Sequence, residues 1–212
     1  MIDNSILTDL PSVLLAKGSY DKSISIITGH TAQDALVFTD PFITTSEEYV
    51  SYLKAFFPGI SNPTLSFINT TLYPADYSGA QGYTSQFGRT NATLGEANIL
   101  CNTLFLQNAY KGKSWGYNYV APPALHADDL YPTFYPRQPP SPFGNPVNPA
   151  LANTMQTYFT TFAQTGNPNT PTQPAWPLAG NNVVLNLGDT VVTAGDTVPP
   201  GRCAWWQKAL FR

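Results

Sequence analysis

His30 and His126 are the only two histidines among 212 residues, so they are the first candidates for a base that works near neutral pH. Twelve residues before His126 lies Ser114, in Gly112-Lys113-Ser114-Trp115-Gly116. The stretch fits G-x-S-x-G, the spacing of a nucleophile elbow. There a serine on a sharp strand-to-helix turn is activated by a histidine, and a carboxylate orients the histidine. The surrounding periodicity runs the other way. Residues 91–112 read as a helix and residues 114–122 as a strand. The N–H groups after Ser114 are therefore expected in a sheet ladder, not around an oxyanion, and Ser114 is read as part of a helix-to-strand turn rather than as a nucleophile.

The elements that must position the histidines follow from pattern. SISIITGH (23–30) is a β-branched run expected as a buried strand of a mostly parallel sheet. TSEEYVSYLKAFFPG (45–59) reads as a helix capped by Thr45 or Ser46, with Glu47 and Glu48 in its first turn and Pro58-Gly59 as its stop. Tyr49, Leu53 and Phe56 share one face of it. Residues 61–63 are expected to turn. In the 91–112 helix, Ile99, Leu100, Thr103, Leu104 and Gln107 form the inner stripe and Gly112 the stop. Residues 136–149 are proline-rich and loop-like. Residues 148–169 read as a helix closed by Gly166, 183–188 as a strand, and 203–211 as a terminal amphipathic helix. Strands alternating with helices make an α/β pattern.

Chemistry in such sheets sits beyond the C-terminal ends of the strands. TGHTAQDALVF follows the first strand and ALHADDLYPTFYP the second, so Asp34 and His126 fall on that edge in the order acid, then base. Gly29-His30-Thr31-Ala32-Gln33-Asp34-Ala35-Leu36-Val37-Phe38 resembles the acid motif G-x-N-x-D-E-G-x-x-F. His126-Ala127-Asp128-Asp129-Leu130-Tyr131-Pro132-Thr133-Phe134 resembles the histidine motif H-G-x-[DE]-L-x-x-x-F. Phe162-Ala163-Gln164-Thr165-Gly166-Asn167-Pro168-Asn169 and Cys203-Ala204-Trp205-Trp206 resemble two later motifs, F-A-x-T-G-x-P-N and C-x-F-W.

In this order, over nearly all the chain, these motifs resemble the C-terminal part of a type-B carboxylesterase/lipase, the α/β-hydrolase family that includes the cholinesterases. The resemblance implies Asp34 as catalytic acid, His126 as catalytic base and a Cys101–Cys203 disulfide. It implies a carboxylic ester hydrolase acting on small-molecule or lipid esters without a cofactor. Departures from the family pattern include Asp34, which stands for a glutamate and is one methylene shorter, and Ala35 and Ala127, which stand for glycines. Read without the resemblance, Asp34 caps a helix starting at Ala35, His30 is a loop residue, and Asp128 and Asp129 satisfy donors near His126. No third ligand suggests a metal site.

The family's nucleophile motif, G-E-S-A-G, and its glycine-rich oxyanion loop do not occur in the sequence. Residues 1–212 are thus expected to form a single partial α/β-hydrolase domain, inactive alone, whose serine lies in a missing N-terminal half; that half is an expected partner. The competing class is a non-catalytic esterase-like binding or adhesion protein.

Composition agrees with an extracellular setting. Charged residues are 11% of the chain, well below the usual quarter, and the net charge of −3 provides no basic field for nucleic acid. Two free thiols would suit a cytosolic protein, whereas a low-charge, Asn- and Thr-rich surface suits a secreted one with a disulfide. Asn69-Thr70-Thr71 and Asn91-Ala92-Thr93 are glycosylation sequons. No apolar run is long enough to span a membrane. The first residues lack a signal-peptide pattern, so such a peptide is expected upstream.

Overall fold

The computed structural model describes residues 2, 3, 5–136, 146–180 and 182–211. Residues 137–145 of the stretch expected as loop lie outside the described residues. Four strands form one sheet in the order β1 (Ile26–Thr31), β2 (Ser114–Tyr119), β3 (Val183–Leu187), β4 (Val191–Gly195). β1 and β3 flank β2 in parallel, and β4 returns antiparallel to β3. The parallel register sets His30 opposite Asn118 and Asn118 opposite Asn186.

Eight α-helices flank this sheet among the described residues. The first, α1 (Pro11–Lys17), starts on a proline and ends at Gly18 with φ +72°, the left-handed geometry that glycine tolerates. In α2 (Ser46–Phe56), Thr45 and Glu48 form a reciprocal capping box. Residues 61–63, expected to turn, instead start α3 (Asn62–Phe67). Ser61 accepts from the Thr64 N–H at 3.2 Å, and Pro63 sits in the first turn, where its missing N–H is no loss. The helix expected over 91–112 begins earlier, because Ser85 caps it. It runs as α4 (Gln86–Gly95), a π-helical turn (Glu96–Leu100) and α5 (Cys101–Ala109). Gly112, with φ +83°, lies in the turn beyond its end. α6 is the short Leu130–Thr133, and α7 (Pro149–Thr165) is closed by Gly166 as expected. The terminal helix, α8 (Pro200–Trp206), lies earlier than expected because Pro200 initiates it.

Two cores sandwich the sheet. Trp115, Tyr119, Leu185 and Leu187 pack against Leu151, Met155 and Tyr158 of α7 and against Trp176, whose indole N–H donates to the Gly116 carbonyl at 2.9 Å. On the other side α5 lies on β1 and β2, with Gln107 donating to Thr28 Oγ1 at 3.3 Å. Beyond it Tyr49, Leu53, Ile68, Tyr73, Leu104 and Trp206 form the second core. The Cys101–Cys203 disulfide joins α5 to α8 there, with the Cα atoms 5.0 Å apart. Closing a loop of 102 residues is worth about 4–5 kcal/mol in chain-entropy terms. Arg89 is fully buried in the same core. Its five N–H donors all find acceptors, on Tyr73, Ser46, Gln86 and Asn69, and its guanidinium lies 4.0 Å from the Tyr49 ring centre.

Candidate active site

β1 and β2 deliver two loops to the same edge of the sheet. The β1 loop is held by the Gln33 N–H donating to the Ala124 carbonyl at 2.9 Å, which stitches it to the β2 loop. Across this stitch His126 Nδ1 meets Asp34 Oδ1 at 2.7 Å. The second Asp34 oxygen accepts from the Thr31 N–H at 2.8 Å. Asp34 therefore caps no helix, and a 3₁₀ turn at Leu36–Phe38 follows it. With Nδ1 donating to the carboxylate, Nε2 is the ring's acceptor, and among the described residues nothing bonds to it. The His126 side chain is 44% exposed and that of Asp34 4%. The stitched loops bring the two backbones close enough for an aspartate side chain to reach the imidazole.

Neighbouring groups fix this arrangement. Asp128 Oδ2 accepts from the Leu125 N–H at 2.8 Å, and Asp129 Oδ2 accepts from the Tyr117 hydroxyl at 2.6 Å. Burial pushes the Asp129 carboxyl above its usual range, the Tyr117 hydrogen bond pulls back, and Asp34 pushes it up further. The Tyr117 ring lies directly over Gly29; a Cβ at that position would fall inside it. Ala127, which replaces a glycine of the histidine motif, sits at φ +70°, and Ala124 at φ +54°. Both are left-handed positions where alanine is strained by about 1 kcal/mol. Ala35, the other replacement, has φ −89° and no such strain.

A cleft of about 300 Å³ opens beside His126, lined chiefly by Phe38, Tyr52, Phe56, Leu94 and Ile99. Phe38 stands edge-on to the imidazole at 5.0 Å. Phe56, read on one face of α2 with Tyr49 and Leu53, is 42% exposed where those two are buried, and it belongs to this cleft. Phe38 closes the acid motif, which was its signal in the sequence. Ile99, expected on the inner stripe of its helix, is half-buried and faces this cleft, and Tyr52 carried no signal.

The other candidates lie apart. Ser114 opens β2, fully buried, its hydroxyl donating to the Gln107 carbonyl at 3.2 Å. It stands at the opposite end of β2, a strand roughly 15–20 Å long at 3.3 Å per residue, from the loop that carries His126. His30, expected in a loop, is a buried residue of β1 paired with Asp196. Asn69 and Asn91 are both half-buried on helical segments. The first accepts from Arg89 at 2.6 Å and the second from the Thr39 hydroxyl at 3.1 Å. No group of three or more metal-ligating side chains occurs among the described residues, and no helix there is long and apolar enough to cross a membrane.

No family model matches the sequence. The carboxylesterase patB of Aspergillus clavatus is 30% identical over 212 residues, which are 99% of this chain and 38% of that protein. A secreted lipase of Arthroderma benhamiae is 27% identical over 99% of this chain and 42% of its own length. An inactive carboxylesterase-like protein of Byssochlamys spectabilis, VdtD, is 27% identical over 49% of this chain and 19% of its own length. The crystal structure of Aspergillus niger EstA superposes with a TM-score of 0.80 at 22% identity, covering 97% of this chain and 43% of that one. The chain thus spans about two fifths of the length of the carboxylesterase and lipase that it matches end to end. By sequence along nearly its whole length and by its fold, the chain is similar to the C-terminal part of carboxylesterases and lipases built as α/β-hydrolases.

Proposed function

We propose that this chain supplies the acid and the base of a serine carboxylic-ester hydrolase whose nucleophile lies in polypeptide outside residues 1–212, so that these residues are one part of a divided α/β-hydrolase domain. The observation that carries the reading is the His126 Nδ1 to Asp34 Oδ1 contact of 2.7 Å with Nε2 open. In that reaction a serine Oγ attacks the ester carbonyl while His126 Nε2 takes its proton. Asp34 holds the ring in the Nδ1–H tautomer and stabilises the imidazolium. As the tetrahedral intermediate collapses, His126 returns the proton to the departing alcohol. Water, activated by the same nitrogen, then releases the acid. The apolar cleft beside His126 suits a small-molecule or lipid ester with a hydrocarbon portion. The serine and its oxyanion donors are worth most of the rate, so residues 1–212 alone are inactive.

The partner segment has a place to dock. Among the described residues β1 pairs on one side only. The amides of Ile26 and Ala32 point toward β2 and that of Thr31 points away, so those of Ile27 and Gly29 face the unpaired edge. The disulfide and the secreted lipase among the relatives support a secreted protein, with Asn69 and Asn91 as glycan acceptors. Mass loss on deglycosylation of chain exported from a eukaryotic host tests those two sites.

The function is tested by a fluorophosphonate serine probe and by ring-nitrogen NMR on the 212-residue chain. The expected result is no adduct, no hydrolysis of p-nitrophenyl esters, and a His126 proton resident on Nδ1. An adduct on Ser114, or a His126 ring whose Nδ1 carries no proton at pH 7, sinks the assignment. The Byssochlamys relative carries the competing reading, a non-catalytic esterase-like protein; a protein containing the upstream segment with no reactive serine would decide for it.

A further inference from the structure

The molecule holds a second histidine–aspartate pair that this chemistry does not use. The His30 side chain is 1% exposed and that of Asp196 0%. His30 Nε2 lies 3.1 Å from Asp196 Oδ1, and Nδ1 lies 3.2 Å from the Thr31 carbonyl oxygen. Both neighbours accept hydrogen bonds. A neutral imidazole has a single N–H and would set a lone pair against one of them, whereas the imidazolium satisfies both. Asp196 is held in turn: the Val198 N–H donates to Oδ1 at 3.1 Å, and Asn182 brackets its backbone, accepting from its N–H at 2.7 Å and donating to its carbonyl at 2.8 Å. Burial pulls the ring's pKa down. The Asp196 hydrogen bond and charge, the Thr31 carbonyl and the Asp34 carboxylate outweigh it, leaving the value above 6.5. Other elements against β1 add no charge: α5 (CNTLFLQNA) has no ionisable side chain outside the disulfide, and the neighbour on β2 is Asn118.

Thr31 joins this pair to the first. Its carbonyl accepts from His30, its N–H donates to Asp34 Oδ2, and Asp34 Oδ1 accepts from His126. We infer that His30 is a positioning residue for the His126–Asp34 pair: a buried cation anchored on Asp196 clamps the backbone of Thr31, and Thr31 aims Asp34 at the imidazole. The inference rests on the reading of His126 and Asp34 as base and acid. It gives the short acid its support. An aspartate has one rotatable bond fewer than a glutamate with which to recover reach, so the strand end that carries it must not shift.

With two imidazoles in the chain, ring-nitrogen NMR of the labelled 212-residue protein reads each pair separately. At pH 7 His30 is expected to carry protons on both nitrogens. In His30→Gln the His126 Nδ1 proton should move upfield and exchange with solvent about tenfold faster, equivalent to about 1.4 kcal/mol of lost protection. In the unaltered protein the same His126 signal should shift in step as His30 loses its proton at higher pH; this titration decides the matter if the variant does not fold. A singly protonated His30 at pH 7, or a His126 signal indifferent to both the substitution and the titration, overturns this inference alone. A His126 lacking an Asp34-bound proton in the unaltered protein brings down the acid–base reading, and this inference with it.

Discussion

The two histidine–aspartate pairs put the same residue types in opposite settings. In His126–Asp34 one ring nitrogen is engaged and the other faces open space; in His30–Asp196 both are engaged inside the protein. A general base must exchange a proton during turnover, which requires a nitrogen with nothing bound to it and a route to the surface. A strut must not exchange one. The second acceptor turns the buried ring into a fixed charge, and its paired carboxylate keeps that charge from being an uncompensated one. Whether a histidine is chemistry or scaffolding is thus decided by its second nitrogen, not by the nearness of an aspartate.

Breaking each pair should therefore produce effects of different kinds. The largest is expected from Asp34→Asn in a form of the protein that includes the serine. Loss of the correct tautomer should lower kcat about ten-thousandfold, while the urea midpoint of unfolding hardly moves. A large shift in the midpoint would make Asp34 scaffolding after all. Asp196→Asn should do the reverse in the 212-residue chain, lowering the unfolding free energy by about 3 kcal/mol at pH 6 by stripping a buried cation of its partner. A change of less than about 0.5 kcal/mol in urea titration would count against a charged His30.

The pH dependence sharpens the contrast. The His30 pKa in the folded protein lies above the ordinary 6.5. Its contribution to stability is therefore complete below pH 6.5 and fades as pH rises through the folded value. Denaturant titrations at pH 6 and pH 9 should show this loss in the unaltered chain and lose it in Asp196→Asn. Ala127→Gly should have the smallest effect. Relief of about 1 kcal/mol of left-handed strain is nearly offset by the flexibility glycine adds to the unfolded chain, so thermal unfolding should move by less than about 0.5 kcal/mol.

The meeting of His126 with Asp34 was legible in the sequence because each sits in a short motif just after a β-branched or aromatic strand, and the order of the motifs implies which loops meet. The helix over 45–59 was legible because Thr45 or Ser46 offers a cap, Glu47 and Glu48 fill the first turn and Pro58-Gly59 stops it. Residues 61–63 were misread because Asn-Pro signals a turn as well as a helix start, and only the Ser61 hydroxyl distinguishes the two. β4 has a half-exposed pattern with no alternation strong enough to mark it. His30 gave no sign of its role, since the residue that defines it, Asp196, lies far along the chain in a segment without a motif. Such a pairing exists only once the crossover from β4 to α8 has brought the two together.

The seating of Tyr117 on Gly29 has a meaning for evolution and for library design. The two positions share one volume, so they cannot drift independently. A side chain at 29 becomes admissible only when the ring at 117 shrinks, and shrinking that ring also releases Asp129. Randomising both positions together and selecting for folded protein should return glycine with an aromatic, or a larger residue with a small one, and never two bulky residues. The glycine of the acid motif is in this sense the imprint of a tyrosine on the neighbouring strand.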